Sequence, residues 1–224
     1  MPTRLLLVRH GEVDPSWRDR IYGCLDVPLS SAGEEEARTV AARLPATLRI
    51  ELAVSSGLSR ATFGADEIAR PRSIPHERDT ALREIERGDW AGRTQGELEL
   101  LQPGAWSAWH ASPARSRPPK GESLRDLCDR VLPRLDVWAQ RCAGGNVALV
   151  SHLWVIRVAV CRALGLSLDR ASRLAVPTGE LVVLEWPSNE CEREELRPTL
   201  VGFGTDALPT GSVWFRGPQR SSSR

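Results

Sequence analysis

The amino-acid sequence predicts an α/β fold, a three-layer sandwich in which a mostly parallel central sheet carries helices on both faces. Short apolar runs, typical of strands buried on both sides, occur at residues 5–8, 52–54, 147–150 and 181–184. Segments with helical spacing of apolar residues separate most of these runs. Because strands that alternate with helices usually form a parallel sheet with both faces covered, this order predicts the sandwich.

The first strand, residues 5–8, leads directly into an Arg-His-Gly turn, and a loop rich in turn-forming and charged residues follows up to position 30. Ser31 and Glu34 have the spacing of a capping box and predict the start of a helix. An apolar stripe then continues along this helix to Leu44.

The second strand, residues 52–54, ends at a Ser-Ser-Gly turn. The helix after it has alanines on one face and is expected to stop at Pro71. Thr94 and Glu97 mark another capped helix start. We predict that residues 102–120, which contain tryptophan and proline, form a loop-rich excursion over the sheet edge, as a lid or rim.

Ser123 opens the longest helical pattern of the chain, and Pro133 within it predicts a kink. The third strand, residues 147–150, is followed by a strongly apolar helix over about residues 154–164. Gly165 is expected to end that helix, because glycine adopts the left-handed conformation of a helix C-terminus.

A fourth strand covers residues 181–184, and a last strand is expected near residues 196–201. Neither an internal repeat nor a break in composition marks a second domain, so residues 1–204 are assigned to one domain. Gly, Pro, Ser and Arg are frequent in residues 205–224, and this composition predicts a flexible C-terminal tail there.

The bulk composition excludes several classes of protein. A net charge of +1 and a pI of about 7.7 give no electrostatic reason to expect nucleic acid or an anionic membrane as a partner. The 5 cysteines are odd in number and contain no Cys-x-x-Cys pair, which indicates a reduced, cytoplasmic protein without a zinc site. We expect no signal peptide, and no apolar run approaches the ~20 residues of a membrane helix.

Two histidines, two arginines and one carboxylate fall at the ends of predicted elements. His10 and His152 each close a buried strand, where open α/β sheets bind their ligands. Arg9 precedes His10, and Arg60 begins the helix after the second strand, where free backbone N–H groups favour anions. Glu84 precedes a turn-like segment. This set fits phosphoryl transfer: cations bind the phosphoryl oxygens, a nitrogen attacks phosphorus, and a carboxylic acid protonates the leaving oxygen.

Six motifs in this order resemble the histidine phosphatase superfamily, the phosphoglycerate-mutase-like proteins. They are LVRHGE at residues 7–12, DVPLS at 26–30, SSGLSRA at 55–61, LRE at 82–84 with G-x-W-x-G at 88–92, GES at 121–123, and VSH at 150–152 with VIR at 155–157. An Arg-His-Gly triplet alone is an unspecific signal, whereas six motifs in order cover nearly the whole chain. The resemblance implies that the domain over residues 1–204 is a histidine phosphatase domain.

The resemblance implies a metal-independent phosphomonoesterase. His10 would be the nucleophile that forms a phosphohistidine, and Arg9, Arg60 and His152 would complete the phosphate pocket. Glu84 would be the general acid in the first step and the base that activates water in the second. No metal or cofactor is implied, because the arginines and His152 supply the positive charge. The partner would be a small phosphate ester, and a homodimer is left open.

The chain departs from the family pattern at positions that bear on the substrate. Ser16 stands where an asparagine often assists the phosphate, and its hydroxyl has a shorter reach. Leu153 and Trp154 replace small residues and either narrow the pocket or pack beneath it. Gly23 lies in a loop most similar to the α-ribazole phosphatase and broad-specificity branch. We expect Ser16, Gly23 and Leu153 to contact phosphate or substrate.

Other functions remain open at this point. The chain looks too short for the insert of the mutases, so a phosphatase is favoured over phosphoglycerate-mutase-type transfer. A non-catalytic phospho-ligand binder could use the same fold, although such a protein would be expected to lose His10, Arg9 or Glu84. A serine hydrolase built on Ser151 lacks the Gly-x-Ser-x-Gly elbow.

Five further residues have weaker assignments. His76 and His110 lie in loop-like stretches and are expected to be surface histidines without a role. Trp106 and Trp109 could line the rim of a substrate pocket. Arg83 either reaches the phosphate or faces solvent.

Overall fold

The computed structural model describes residues 1–188 and 197–208. Its strands are β1 (Thr3–Arg9), β2 (Leu52–Ser55), β3 (His76–Arg78), β4 (Asn146–Ser151), β5 (Leu181–Trp186) and β6 (Thr199–Phe203). Its α-helices are α1 (Ser31–Arg43), α2 (Ser59–Arg72), α3 (Gln95–Leu101), α4 (Ala105–Ala111), α5 (Leu124–Arg141) and α6 (Leu153–Leu164).

One sheet contains all the described strands, in the order β3-β2-β4-β1-β5-β6. Strands β1 to β4 pair with one another in parallel, whereas β5 is antiparallel to both β1 and β6. The prediction of a mostly parallel sheet is confirmed. In the centre, β1 and β4 lie side by side with Arg9 opposite Ser151, so the carboxyl ends of these two strands meet.

The two faces of the sheet are buried against different helices. On β1, Leu5 and Leu7 belong to an apolar cluster that includes residues of α5 and α6. Leu6 and Val8 belong to a second cluster that includes residues of α1 and α2. Because successive side chains of a strand point to opposite faces, an uninterrupted apolar run requires cover on both sides. The predicted three-layer sandwich is therefore confirmed.

Three helices begin or end as the sequence predicts. Thr94 and Glu97 form a capping box before α3, and Ser123 with Asp126 forms another before α5. Gly165 ends α6 in the left-handed conformation, with φ of 64°. These ends are local features, since each depends on the backbone and on side chains a few residues away.

Two predicted helix ends are wrong by a residue or two. The cap of α1 is Ser30 rather than Ser31, because the Ser30 hydroxyl accepts the N–H of Gly33 at 3.0 Å. Pro71 does not stop α2, which continues to Arg72. A proline in the last turn removes only one hydrogen bond donor, and α2 ends where Ser73 turns left-handed, with φ of 52°.

The region around the sheet edges has more regular structure than predicted. Residues 102–120 are not purely loop, because they include α4, whose Trp109 is fully buried. The short strand β3 was missed, since its polar sequence, His-Glu-Arg, carries no apolar run. His76 in β3 is not a surface residue: its ring bonds with Asp66 Oδ1 at 2.8 Å and Ser55 Oγ at 2.9 Å.

The last described residues extend the folded region. Strand β6 begins at Thr199, and Leu196, where the last strand was expected to start, lies outside the described residues. The predicted tail begins with a 3₁₀ turn at Thr205–Ala207, followed by Leu208, which packs in the second apolar cluster. Residues 209–224 lie outside the described residues. Within the described ranges, no helix has the length and apolar character needed to cross a membrane.

Candidate active site

The two strand-closing histidines lie next to each other. His10 follows β1 and His152 follows β4, and the parallel register of these strands brings their ring centroids to 5.0 Å. Both residues are almost completely buried, with 2 % and 0 % exposure. A side chain at Gly11 would collide with the backbone of Gly33, so the turn after His10 requires glycine in order to pack against α1.

One hydrogen bond of His10 defines its tautomer. Its Nδ1 lies 2.7 Å from the Gly11 carbonyl, which can only accept, so Nδ1 carries the proton. The other ring nitrogen, Nε2, is then left with its lone pair. Burial, together with the charge of Arg60, holds the pKa of His10 well below its usual value of 6.5. His10 is therefore a neutral imidazole with a nucleophilic Nε2 at neutral pH.

Two arginines are held beside the histidines by backbone carbonyls. Arg60, in the first turn of α2, is fully buried and donates from Nη1 to Leu25 O at 2.7 Å and from Nη2 to Gly23 O at 2.8 Å. Arg9 donates from Nη1 to Val176 O at 2.5 Å. The Nε atoms of both arginines are buried and have no hydrogen bond partner within the described part of the chain.

His152 adds a third donor of this kind. Its Nε2 lies 2.7 Å from Ser56 Oγ, while its buried Nδ1 has no partner among residues 1–188 and 197–208. Burial and the neighbouring Arg60 also hold the pKa of His152 well below 6.5. Ser56 was not predicted as a site residue, although it lies in the Ser-Ser-Gly turn. Buried polar atoms normally find partners, so such a cluster indicates a site that a ligand completes.

Glu84 lies against the start of α6. Its Oε1 accepts the N–H of Ile85 at 2.9 Å and the N–H of Trp154 at 3.2 Å. The carboxyl group is buried, with 7 % of the residue exposed. These two bonds orient one carboxyl oxygen and leave Oε2 for chemistry.

The chain segment that carries Glu84 is anchored from several sides. Arg130 donates to the carbonyls of Ala81 and Arg83 at 2.6 and 3.1 Å and forms an ion pair with Glu122 at 2.7 Å. Ser151, at the end of β4, donates to Leu82 O at 2.7 Å. Because these bonds join distant parts of the chain, they fix Glu84 relative to the two histidines.

A cavity of about 500 Å³ opens beside these residues. Four of the predicted site residues, Arg9, Gly23, Glu84 and Leu153, line it. The other predicted catalytic residues are buried next to this lining rather than part of it. In the described ranges, no group of three or more His, Cys, Asp or Glu side chains is arranged to hold a metal ion.

Ser16 is the predicted site residue that the structure places elsewhere. It is exposed, its hydroxyl donates to Asp14 Oδ1 at 2.5 Å, and it does not line the cavity. Arg83 is exposed and also lies outside the lining. Of the two predicted rim tryptophans, Trp106 lines the cavity, whereas Trp109 is buried behind it. The ring of His110 lies 4.5 Å from that of Trp106, so this histidine is not a plain surface residue.

Two further residues of the cavity wall were not predicted to bind a ligand. Arg87 and Trp154 both line the cavity, and the Arg87 guanidinium carbon lies 5.6 Å from the centre of the Trp154 ring. Trp154 is 5 % exposed, so it both lines the pocket and packs beneath it. Arg87 lies between the two parts of a recognised motif, but its contacts with the tryptophans of α4 and α6 are not visible in the sequence.

The low pKa values of His10 and His152 predict a loss of stability in mild acid. An unfolded histidine takes up a proton near pH 6.5, whereas these folded ones resist it, so their stabilising contribution is present above that pH and lost below it. The extra loss should approach about 1.4 kcal/mol per pH unit for each histidine. In urea unfolding at neutral and mildly acid pH, the free energy of unfolding should fall more steeply with decreasing pH for the wild type than for the double variant His10→Asn/His152→Asn. Equal slopes would contradict the assignment of two neutral buried histidines.

Comparison with known proteins gives consistent matches. The protein-family model of the histidine phosphatase superfamily (branch 1) matches residues 5–197 of this chain. A glucosyl-3-phosphoglycerate phosphatase from Mycolicibacterium vanbaalenii is 36 % identical over 173 residues, which covers 74 % of this chain and 76 % of that protein.

Solved structures resemble the fold closely. YhfR of Bacillus stearothermophilus superposes with a TM-score of 0.77 and 29 % identity, covering 82 % of this chain and 91 % of that one. An α-ribazole phosphatase from Shigella flexneri superposes with a TM-score of 0.73 and 25 % identity, covering 81 % of this chain and 90 % of that one. The family match therefore spans all six sequence motifs.

Proposed function

This chain belongs to the histidine phosphatase superfamily and is a phosphatase, and from this premise we propose that it hydrolyses phosphate monoesters through a phosphohistidine on His10. The observation that carries the proposal is the set of buried donors without partners in the described ranges: Arg9 Nε, Arg60 Nε and His152 Nδ1. Together with the lone pair of His10, these donors suit a tetrahedral anion with one electrophilic centre.

In the first step, His10 Nε2 attacks phosphorus and the bond from phosphorus to the ester oxygen breaks. Arg9, Arg60 and His152 bind the three other phosphoryl oxygens and stabilise their negative charge. The carboxylic acid of Glu84 gives its proton to the leaving oxygen, so an alcohol departs and Glu84 becomes a carboxylate. Nδ1 of His10 keeps its proton, and its bond to the Gly11 carbonyl balances the charge that develops on the ring.

In the second step, water attacks the phosphorus atom of the phosphohistidine. The Glu84 carboxylate takes a proton from this water, and the bond from phosphorus to His10 Nε2 breaks, which returns both groups to their starting states. Ser56 orients His152 during both steps. For His152 Nδ1 to donate to a phosphoryl oxygen, its Nε2 must accept, so the Ser56 hydroxyl is the donor in their 2.7 Å bond.

A small phosphate ester fits the site best as substrate. The named relatives act on glucosyl-3-phosphoglycerate and on α-ribazole phosphate, and the cavity of about 500 Å³ suits ligands of modest size. We also propose a cytoplasmic location, which is supported by the free thiols of Cys24, Cys128, Cys142 and Cys161. A homodimer stays a prediction.

Trapping of the covalent intermediate tests the proposal. Enzyme mixed with excess p-nitrophenyl phosphate and then denatured in base, where phosphohistidine survives, should carry one phosphoryl group on the peptide that contains His10. Peptide mass spectrometry locates the group. A phosphoryl group on another residue, or turnover without a labelled protein under conditions that trap other phosphohistidines, would overturn the proposed role of His10.

A further inference from the structure

Arg87 is a buried cation on the cavity wall that the proposed chemistry does not use. It is 5 % exposed and lines the cavity together with Glu84. Its guanidinium has no hydrogen bond partner in the part of the chain that the structure describes, and its Nη1 is shielded from solvent. Arg60, which is also buried in the site, differs in this respect, because two of its nitrogens donate hydrogen bonds to backbone carbonyls.

Aromatic rings surround Arg87 without satisfying its N–H groups. Its guanidinium carbon lies 4.1 Å from the ring centre of Trp109 and 5.6 Å from those of Trp106 and Trp154. Such contacts stabilise a cation by about 0.5–2 kcal/mol each. Burial lowers the pKa of Arg87 to about 10, so the side chain is still charged at neutral pH.

The charged neighbours of Arg87 do not provide a hydrogen-bonded partner either. Glu84 is the nearby carboxyl group, but its Oε1 accepts two backbone N–H groups and its other oxygen is assigned to the leaving group. Arg157, whose guanidinium carbon lies 4.5 Å from the Trp154 ring centre, is a like charge and donates to the carbonyls of Leu174 and Ser172. A buried cation without hydrogen bonds costs more than cation–π contacts recover, which indicates a side chain placed for a ligand.

Arg87 is also close to the phosphate-binding arginine. A Cβ at Gly23 would lie 2.8 Å from Arg87 Cγ, and the carbonyl of the same glycine accepts Arg60 Nη2 at 2.8 Å. One backbone residue therefore contacts both arginines. A ligand whose phosphoryl group lies at Arg60 would extend its ester side along the cavity wall that Arg87 lines.

We propose that Arg87 binds a carboxylate on the leaving-group side of the substrate, so that the preferred substrates are phosphate monoesters of small carboxylic acids. This inference rests on the proposed function and adds a substrate class to it. A planar guanidinium binds a planar carboxylate through two parallel hydrogen bonds. Between flat tryptophan rings, a singly charged carboxylate loses less hydration energy than a second phosphate would.

Two pairs of esters that differ in the carboxylate test the proposal. O-phosphoserine differs from O-phosphoethanolamine only by its carboxylate, and 3-phosphoglycerate has a carboxylate where glycerol 3-phosphate has a hydroxymethyl group. We expect the wild type to prefer the carboxylated ester of at least one pair by roughly 10-fold or more in kcat/KM. Arg87→Gln should lower kcat/KM for that ester by roughly 10- to 100-fold, mainly through KM, and change its partner by less than about 3-fold.

Control variants separate recognition from structural effects. Arg83→Gln changes an exposed arginine of the same segment outside the cavity lining, and both esters should react as in the wild type. Arg87→Lys keeps the charge and should retain part of the preference, which also covers the case in which Arg87→Gln does not fold. The absence of a preference in both pairs, or an equal loss for both members of a pair in Arg87→Gln, would overturn the inference. Failure of the proposed function looks different, since no ester would then be hydrolysed.

Discussion

Replacement of His10 by alanine is expected to lower kcat for p-nitrophenyl phosphate by roughly 10⁴-fold or more, the scale on which other enzymes lose activity without their nucleophile. His10 presents the lone pair of Nε2 because its Nδ1 proton is held by the Gly11 carbonyl. The arginines and His152 would still bind phosphate, so the variant should bind inorganic phosphate while turning over no ester. Pre-steady-state release of p-nitrophenolate is measured without added metal. The wild type should show a burst when the phosphohistidine forms faster than it is hydrolysed, and the variant should show none.

A second histidine variant provides the control. His76→Gln removes a largely buried histidine of the edge strand β3 that bonds to Asp66 and Ser55, and it should keep kcat within a few-fold of the wild type. Equal rates for the wild type and His10→Ala would exclude the covalent mechanism. A loss in His76→Gln as large as that in His10→Ala would show instead that loss of a buried histidine disturbs the fold.

The sequence predicts the parts of the site that depend on strand ends. His10 and His152 are separated by most of the chain, yet each follows an apolar run, and the parallel pairing of β1 with β4 brings the two rings together. Arg60 is predictable for a similar reason, since it lies at the start of the helix that follows β2. The motif order adds Glu84, whose position in the structure depends on the bonds of Arg130 rather than on local pattern.

The rest of the site depends on contacts between distant segments. Ser56 meets His152 across 96 positions of sequence, and no spacing rule links a serine in one turn to a histidine in another. Arg87 appears in the sequence as one arginine among many, and only the packing of α4 and the start of α6 surrounds it with tryptophans. Helix α4 itself is short and follows Gly104, whose left-handed backbone is typical of a loop.

Replacement of Glu84 by glutamine is expected to slow esters with poor leaving groups far more than p-nitrophenyl phosphate. Glutamine keeps an acceptor for the N–H groups of Ile85 and Trp154 but has no proton to donate. General acid catalysis contributes a factor of about 10²–10⁴ to the rate. Cleavage of alkyl esters should lose this whole factor, because an alkoxide is a poor leaving group, whereas p-nitrophenolate leaves without protonation. The measurement is kcat/KM across a series of aryl and alkyl phosphates, because kcat/KM reports the step in which the ester bond breaks.

The same variant separates the two roles of Glu84. Attack of water on the phosphohistidine follows whichever ester is cleaved, so loss of the base in that step should lower kcat for p-nitrophenyl phosphate, whose ester bond breaks without the acid, and make its burst more pronounced. Glu86→Gln is the matched control: this glutamate is two residues away and accepts the N–H of Gly88, so its variant should show neither effect. A uniform loss of kcat/KM across all leaving groups in Glu84→Gln would remove Glu84 from the general-acid role. An unchanged kcat for p-nitrophenyl phosphate would exclude Glu84 from the activation of water, because the second step would then proceed without this carboxylate.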